Sequence, residues 1–541
     1  MKCLNSFSRL VATVLLVMAA VMGGCVQPDR LDLFKADPEK EIQLEDNRPL
    51  ILPQALQPRP KDEPVVAEPI DGILELSVEQ AVLLALRNNC DLRVQQFFPV
   101  IAGTFEQIER GDYDAELFSE MAYNKERAEE TSRSTGTKFN AENTDTAVSV
   151  GIRQQLPAGT EIEASVEQQR SISNRAPEQQ IARVGLSVTQ ALLRGAGPVV
   201  NLVAVRQAEL ETAASIHELR GFTESLLAET ETAYWNYVLA KQEIAIFERS
   251  LAIARQQRDE TEQRIEVGIL PAIEAAAARA EVARREQALI DARSLLEKQR
   301  LRLLRLLGSG IDNVAGLMIK ATSEPAIEPQ PVADLADRLQ IASHRRADLQ
   351  EANLRLRQNR LETIFTRNGL LPKLELFISL GKTGFADTFS DTFKELDGST
   401  YDLTAGVRLS HYLGNRTATA RHRAALANRQ QAAEAVRNLE GLIDLDVRLA
   451  VNEVERVRRQ ISASRSTREL QEQTMNAEKE RFDVGASTAL LVAQAQRDYL
   501  ASLIAEVEAV VSYRIAMVQL YLAEGSLLER RGVSLDSSEL L

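Results

Sequence analysis

Two similar turns stand out in the sequence: residues 261–275 read TEQRIEVGILPAIEA, and residues 478–492 read EKERFDVGASTALLV. The first turn follows a long segment without proline, and between Val199 and Glu266 the only glycine is Gly221. About 68 helical residues at about 1.5 Å each predict a rod of about 100 Å. Such a rod is too long for one compact core, so we expect an elongated architecture.

The same order of elements occurs on both sides of the chain. Ser77–Leu92 is echoed by Asp334–Leu349 at an offset of 334 − 77 = 257, and Arg264–Gly268 is echoed by Arg481–Gly485 at an offset of 485 − 268 = 217. Each copy runs through a leading helix, strands, a long helix, a turn and a shorter helix, which indicates an internal duplication. The predicted fold class is mainly α with β, built on long antiparallel helical hairpins.

The duplication divides the chain into ten predicted segments. They are a lipoprotein signal peptide at 1–24, an extended tether at 25–76, a first-copy leading helix at 77–112, β section at 113–190 and helical hairpin at 199–307, a linker at 308–333, a second-copy leading helix at 334–370, β section at 371–412 and helical hairpin at 415–523, and a C-terminal tail at 524–541. The tether is polar and rich in proline, which favours an extended chain.

Both β sections contain segments in which apolar residues alternate with small or polar ones. These segments are Val148–Ile152, Glu161–Val166 and Val184–Val188 in the first copy, and Leu374–Leu380 and Leu403–Leu409 in the second. The alternation predicts strands with one apolar and one polar face. Such strands suit a barrel with lipid outside and water inside, but they suit one face of an ordinary antiparallel sheet equally well.

The first copy is the longer one. The two offsets differ by 257 − 217 = 40 residues, and one extra hairpin around Pro157–Thr160 would account for the excess. The polar stretches 124–145 and 171–180 lack the apolar alternation, so we expect them to be loops.

The composition argues against several functional classes. The chain is 44% hydrophobic and 26% charged with a net charge of −14, so it lacks the generally basic surface of a phosphate-backbone binder. The four histidines are scattered, no cysteines are paired at metal-ligand spacing, and no phosphate loop is present. We therefore expect no enzyme, no metal, no cofactor and no nucleic-acid partner.

The N terminus has the features of an export signal. A basic start precedes an apolar run at residues 10–22, and Gly23-Gly24-Cys25 follows. This ending resembles the bacterial lipobox, in which the cysteine is lipidated and becomes the mature N terminus, although Met22 departs from the usual leucine. Val26 stands where aspartate would suggest retention in the inner membrane, so the resemblance implies outer-membrane sorting. Cys90 is left without an intramolecular partner and is expected to be buried.

Several motifs resemble the TolC-like outer-membrane efflux proteins. They are Leu86–Asn89 with Asp91-Leu92, Gln190–Gly195, Arg481–Thr488, Ala495–Tyr499 and Tyr513–Gly525, and the resemblance covers residues 77–525. It implies a homotrimer with a shared β-barrel in the outer membrane and a long α-helical barrel in the periplasm. It also implies docking onto the periplasmic adaptor of an inner-membrane pump.

The resemblance assigns roles to the two turns. The adaptor-docking tips correspond to Gly268, Ile269, Leu270 and Pro271, and to Gly485, Ala486, Ser487 and Thr488. In the family, carboxylates just after the turns narrow the pore; Glu274 matches the first, whereas Leu491 and Gln494 occupy the two acidic positions after the second turn. Glu274 and Gln494 are therefore the constriction candidates, with at most one carboxylate ring kept. Glu274 is equally an ordinary first-turn glutamate favoured by the helix dipole.

Together these features predict a passive exit duct of a tripartite efflux or type I secretion system, anchored in the outer membrane at Cys25. The alternative is a periplasmic adaptor-type lipoprotein, which would carry one helical hairpin between small β domains rather than two hairpins with strands between long helices. A surface lipoprotein enzyme would need a convergent polar site, and a purely structural coiled coil would need sustained heptads. The exported cargo is not specified by these motifs.

Overall fold

A computed structural model describes residues 59–60, 73–131, 134–308, 317–325, 329, 331–332 and 334–534. The expected signal peptide, Cys25 and most of the tether lie outside the described residues, and so does the end of the chain after Ser534.

Helices and strands alternate in long blocks along the chain. The first copy comprises β1 (Arg59–Pro60), β2 (Ile73–Leu76), α1 (Val78–Asn88), α2 (Cys90–Gln95), α3 (Phe97–Gly111), β3 (Glu116–Thr131), β4 (Lys138–Leu156), β5 (Thr160–Ser173), β6 (Ala176–Ala191), α4 (Pro198–Asn201), α5 (Val203–Glu266) and α6 (Ile273–Leu306). The rest comprises β7 (Met318–Ala321), α7 (Leu335–Arg345), α8 (Ala347–Asn368), β8 (Lys373–Ala386), α9 (Phe389–Lys394), β9 (Tyr401–Ser410), α10 (Arg416–Asp483), α11 (Ala489–Ala523), α12 (Leu527–Arg530) and β10 (Val533–Ser534).

The two longest helices, α5 and α10, end in the same way. They contain 64 and 68 residues, which corresponds to about 100 Å each. Gly268 and Gly485 follow them with φ of +77°. The Gly268 N–H donates to the Ile265 carbonyl (2.9 Å) and the Ile269 N–H to the Arg264 carbonyl (2.8 Å), and the equivalent bonds recur 217 residues later. This closure satisfies the last carbonyls of each helix, so the repeated motif forms the same turn twice.

After its turn, each long helix packs against the shorter helix that follows, α5 against α6 and α10 against α11. Two helical hairpins of the same order therefore alternate with strands, which confirms the predicted fold class and internal duplication. Within the described part of the chain, no helix is both long enough and apolar enough to cross a membrane.

Six strands form one antiparallel sheet in the order β3-β4-β5-β6-β8-β9. The strand register gives the sheet two different faces. The apolar face carries Met121, Val148, Val150, Val166, Leu186, Leu380 and Leu403 on neighbouring strands, and the polar face carries Gly151, Ser165, Gly185, Gly381 and Asp402 in one row. The predicted alternation thus continues in register across both copies.

An ion pair on the polar face joins the two copies. The Arg183 guanidinium in β6 donates to the Asp402 carboxylate in β9 at 2.9 Å and to the Ser379 hydroxyl at 3.1 Å. The pair passes over β8 at Gly381, where a Cβ would collide with the Asp402 carboxylate. Glycine at this position therefore makes the cross-strand contact possible.

The prediction of loops at 124–145 and 171–180 was wrong for most of both stretches, since among the described residues only short turns at 134–137 and 174–175 interrupt the strands there. β3 and β4 pair without interruption from Glu116↔Arg153 to Thr131↔Lys138, and only residues 174–175 separate β5 from β6. Ladder hydrogen bonds between main chains do not require apolar side chains, and ion pairs such as Arg127–Glu142 (3.3 Å) and Arg170–Glu178 (2.6 Å) add cross-strand attraction.

Three other boundaries differ from the prediction. The tether was expected to reach residue 76 and the linker to span 308–333. β2 lies at the end of the predicted tether and β7 lies within the predicted linker, and the two strands pair in parallel. The Tyr234 hydroxyl holds this short pair by donating to the Leu76 carbonyl (3.0 Å) and accepting from the Ser323 N–H (3.0 Å). The tail after 524 contains α12 and β10, and β10 pairs with β1. Strands of two to four residues are too short to show a period of two.

The leading helices are also interrupted. The segment 77–112 forms three helices, and α2 begins after Asn89, whose side-chain oxygen accepts from the Leu92 N–H at 2.9 Å. The Asn89 side chain takes the place of a main-chain acceptor for this N–H. One helix therefore ends at Asn89, and the same residue caps the start of the next helix. Cys90, expected to be buried, is exposed at the first position of α2.

The largest hydrophobic core surrounds the middle of α5. Tyr234 and Trp235 lie in this core, with their rings edge to face at 5.3 Å. Two buried carboxylates interrupt it: Glu231 accepts from Arg531 at 2.6 Å, and Glu224 lies 3.4 Å from the Arg220 guanidinium. Burial raises the pKa of both carboxyls above the ordinary value, that of Glu224 to about 7.

Glu224 should therefore make the protein less stable as pH rises. Between its ordinary pKa of 4.5 and the folded value of about 7, the folded state holds a proton that the unfolded state has released. The free energy of unfolding then falls with rising pH, by about 3 kcal/mol in total. Glu224→Gln should melt at a higher temperature than the parent protein at pH 8, with a smaller difference at pH 5, in circular dichroism of the detergent-extracted protein.

The control for this comparison is Glu229→Gln on the same helix, because Glu229 is exposed and pairs with Arg302 at 3.1 Å. An unchanged pH dependence in Glu224→Gln would contradict the assignment.

Candidate docking tips and pore constriction

The two turns expose apolar side chains at the ends of their hairpins. Val267 and Ile269 at the first turn are about 70% exposed, and Val484 at the second is 80% exposed. Leu490 is also exposed one residue after the start of α11. Exposed apolar residues clustered at a helix-hairpin end are characteristic of a surface that meets another protein.

A charged contact brings the two turns side by side. The Arg264 guanidinium, at the end of α5, donates to the Asp483 carboxylate at the end of α10 at 2.9 Å. The same guanidinium lies 5.3 Å from the centre of the Phe482 ring. The two copies of the repeat therefore present their predicted tips together, although neither contact was predicted from the sequence.

The constriction candidates lie near the starts of the two shorter helices, Glu274 in the first turn of α6 and Gln494 in the second turn of α11. Glu274 is half-buried near the start of α6, and its N–H donates to the Pro271 carbonyl at 3.1 Å. Gln494 and Leu491 are exposed on α11. Because α6 and α11 both start at the paired turns, these residues lie at the same end of the chain's helical body.

Behind the turns lies a charged cluster that the sequence did not suggest. The Glu281 carboxylate of α6 faces three guanidinium groups, those of Arg285 (2.7 Å), Arg284 (3.0 Å) and Arg497 (3.1 Å). Arg497 belongs to α11, so this contact joins the first-copy hairpin to the second-copy hairpin. Glu281 and Arg285 are both buried, and burial lowers the pKa of the Arg285 guanidinium.

The cluster borders a cavity of about 140 Å³ between α5, α6 and α11. Alanines at 278 and 493 line it, together with the buried hydroxyl of Thr261, which has no hydrogen-bond partner among the described residues. Small residues therefore leave room at this contact, and the ion pairs hold the helices together. In the sequence, Arg284 and Arg285 lie between Glu281 and Glu286, and Arg497 precedes Asp498, which is the mixed charge pattern of a solvated helix surface.

No arrangement for metal chemistry is seen in the described ranges, since no three His, Cys, Asp or Glu side chains there are placed to hold an ion. The features that stand out are the long hairpins, the exposed apolar turns and the two-faced sheet.

Known proteins share this arrangement. The family model described as outer membrane efflux protein matches residues 161–309 and 339–526. Among solved structures, a membrane protein from Pseudomonas aeruginosa is 20% identical with a TM-score of 0.63, over 83% of this chain and 93% of that one. The Campylobacter jejuni CmeC outer membrane channel is 16% identical with a TM-score of 0.62, over 85% and 90%. The outer membrane protein VceC from Vibrio cholerae is 16% identical with a TM-score of 0.61, over 83% and 96%. No curated protein sequence matches the chain.

The Glu281 cluster should hold the two hairpins together near the turns. Glu281→Gln would leave Arg285 buried without its counter-charge, at a cost on the order of 3–5 kcal/mol. We expect trypsin to cleave after Arg284 and Arg497 several-fold faster in this variant, as measured by mass spectrometry of timed digests.

Glu286→Gln is the matched control, because Glu286 lies on the same helix but is only half-buried and pairs with Arg255 at 2.7 Å. Equal digestion rates for both variants would show that the cluster does not hold α11 against α6.

Proposed function

Because this chain belongs to the outer membrane efflux protein family, we propose that three copies of it form a passive, lipid-anchored exit duct. Members of this family are the outer-membrane exit ducts of tripartite efflux systems, and TolC-like channels are homotrimers that dock with adaptor proteins and inner-membrane pumps. The observation that carries the proposal is the register of the six-stranded sheet, which collects apolar residues of both copies on one face and polar ones on the other.

The apolar face has the dimensions needed for a lipid-facing wall. Along β9, exposed Tyr401, Leu403, Val407 and Leu409 cover nine residues. Nine residues at about 3.3 Å span about 30 Å along the strand, and a tilt of about 40° reduces this length to about 23 Å of height, close to that of the apolar band of an outer-membrane barrel. The polar face, with its row of glycine and serine, would then face water in the lumen.

The paired turns are the proposed docking site for the adaptor. Gly268, Ile269, Leu270 and Pro271 form one turn, and Gly485, Ala486, Ser487 and Thr488 form the other. Their exposed apolar side chains would be covered by a helical hairpin end of the adaptor, which is the kind of surface that a two-helix tip fits. The duct itself needs no catalytic group, because the pump would supply the energy.

The lipid anchor is proposed at Cys25. The tether from Cys25 leads to β1, which pairs with β10 at the end of the described chain. An acylated cysteine would hold the tether in the inner leaflet of the outer membrane, and the barrel would provide the second attachment that stable anchoring requires.

A native mass spectrum of the protein extracted from outer-membrane fractions tests the anchor and the trimer together. We expect a trimer of chains that each begin at Cys25 and carry the added mass of lipid, whereas Cys25→Ser should remove that mass. An unmodified monomer would contradict both parts of the proposal. The adaptor-type lipoprotein would then be the better interpretation.

Glu274 and Gln494 should set ion selectivity at the narrow end. With three copies, Glu274 gives one ring of carboxylates, and Glu274→Gln should lower the cation-to-anion permeability ratio in planar bilayers by about twofold or more. Gln494→Glu should raise the ratio, because it adds a second ring. Glu297→Gln, at an exposed carboxylate farther along α6, is the control. If Glu274→Gln left the ratio unchanged, Glu274 would be only a helix-start residue.

A further inference from the structure

The β sections of the two copies differ by one hairpin. The second copy contributes β8 and β9 to the sheet, whereas the first contributes β3, β4, β5 and β6. The match to the family model begins at residue 161, just inside β5, so β3 and β4 lie outside it. The predicted turn at Pro157–Thr160 joins β4 to β5, which makes β3–β4 the additional hairpin.

The additional hairpin continues the sheet. β4 pairs with β5 from Leu156↔Thr160 to Asn143↔Ser173 without a break. Met121 and Val148 fall on the apolar face, in register with Val166 and Leu186 of the other strands. A hairpin that belonged to a separate domain would not need the same apolar and polar faces. The side chains of β3 and β4 are therefore those expected of two further strands in the same barrel wall.

The sheet has two edges that need a partner. Within the described residues, β3 and β9 each pair on one side only. Unpaired backbone groups are very costly in lipid, so a membrane sheet has to close. Because the sheet is antiparallel throughout and has an even number of strands, β9 of one copy would run antiparallel to β3 of the next. The exposed apolar residues Met121 and Tyr123 on β3, and Leu403 and Val407 on β9, would continue the apolar face across that contact.

We propose that β3 and β9 form the seam between neighbouring copies, so that all six strands of each chain enter one barrel of eighteen strands, three times six. This inference rests on the proposed trimeric duct and adds the identity of its subunit contact. Without β3–β4, three chains would close only twelve strands.

The strand number sets the width of the outer-membrane section. With strands about 4.8 Å apart and tilted by about 40°, eighteen strands enclose a backbone diameter of about 36 Å, and twelve strands about 24 Å. Inward side chains shorten both values by about 10 Å. The wider section would pass bulky cargo, and the size limit for export would then lie at the periplasmic turns.

Cysteine cross-linking in the outer membrane tests the seam. In the full-length chain with exposed Cys90 replaced by serine, Leu403→Cys in β9 is combined with single cysteines at positions 117, 119, 121 and 123 of β3. We expect a short bismaleimide to link neighbouring chains at one or more of these positions, giving covalent dimers and trimers on a denaturing gel.

The matched control combines Leu403→Cys with single cysteines at positions 162, 164 and 166 of β5. β5 already has β4 and β6 as neighbours, and within one chain it lies three strands, or about 14 Å, from β9. Links at β5 positions would mean that β3–β4 lies outside the barrel, which overturns the eighteen-strand seam but keeps the trimeric duct. A trimer without links in either series would overturn the seam too, and a monomer would overturn the proposed function itself.

A deletion gives an independent measurement. β3 begins and β4 ends at the same end of the strands, where β5 begins. Removal of residues 116–159 therefore joins residue 115 to β5 without a connection that runs the length of the sheet. We expect the barrel seen by electron microscopy to be about a third narrower than in the parent protein. If the protein with the deletion does not assemble, the strands are counted instead in electron-microscopy images of the parent trimer. Eighteen strands would support the proposal, and twelve strands would overturn it.

Discussion

Burial around the middle of α5 determines where the other helices lie. Between Ala214 and Ala240, most side chains of this helix are buried, apart from a stripe that contains the exposed Glu218, Ser225 and Glu229, and helices from both copies pack against it. Towards the turn, only Leu251, Ala254 and Thr261 are buried. The turn end is therefore held by fewer apolar contacts, and the ion pairs around Glu281 and between Arg264 and Asp483 carry more of the attachment there. A weakly packed end is where a long helical body opens with the least cost.

The parts of the fold that depend on residues close together in the chain could be predicted from the sequence. Proline-free runs closed by Gly268 and Gly485 predicted the long hairpins, and the repeated motif predicted that the two turns would be alike. The polar ends of β3 and β4 were missed because main-chain pairing with a neighbouring strand holds them in place. The Glu281 cluster was missed because helix spacing does not reveal which charges face a second hairpin 216 residues away, as Arg497 does.

The two copies of the repeat have kept the geometry of their turns and changed the chemistry on them. Ile269 and Leu270 are bulky and apolar, whereas the equivalent positions hold Ala486 and Ser487. The sheet diverges further, since one copy has twice as many strands as the other. A three-fold assembly of such chains has six turns of two kinds, so a partner with three-fold or six-fold symmetry would meet alternating surfaces. The family match shows the class of protein, an exit duct, but not its partner. The alternation of the two kinds of turn would determine which adaptor binds.

The pairing of β1 with β10 has a consequence for biogenesis. Residues 59–60 can be fixed only after residues 533–534 have been synthesised and Val533 has reached the hydrophobic core. Nearly the whole chain thus separates the two partners, which is the slowest kind of contact to form. The proposed acylated N terminus would therefore be joined to the helical body through this pairing only in subunits that have folded as far as residues 533–534.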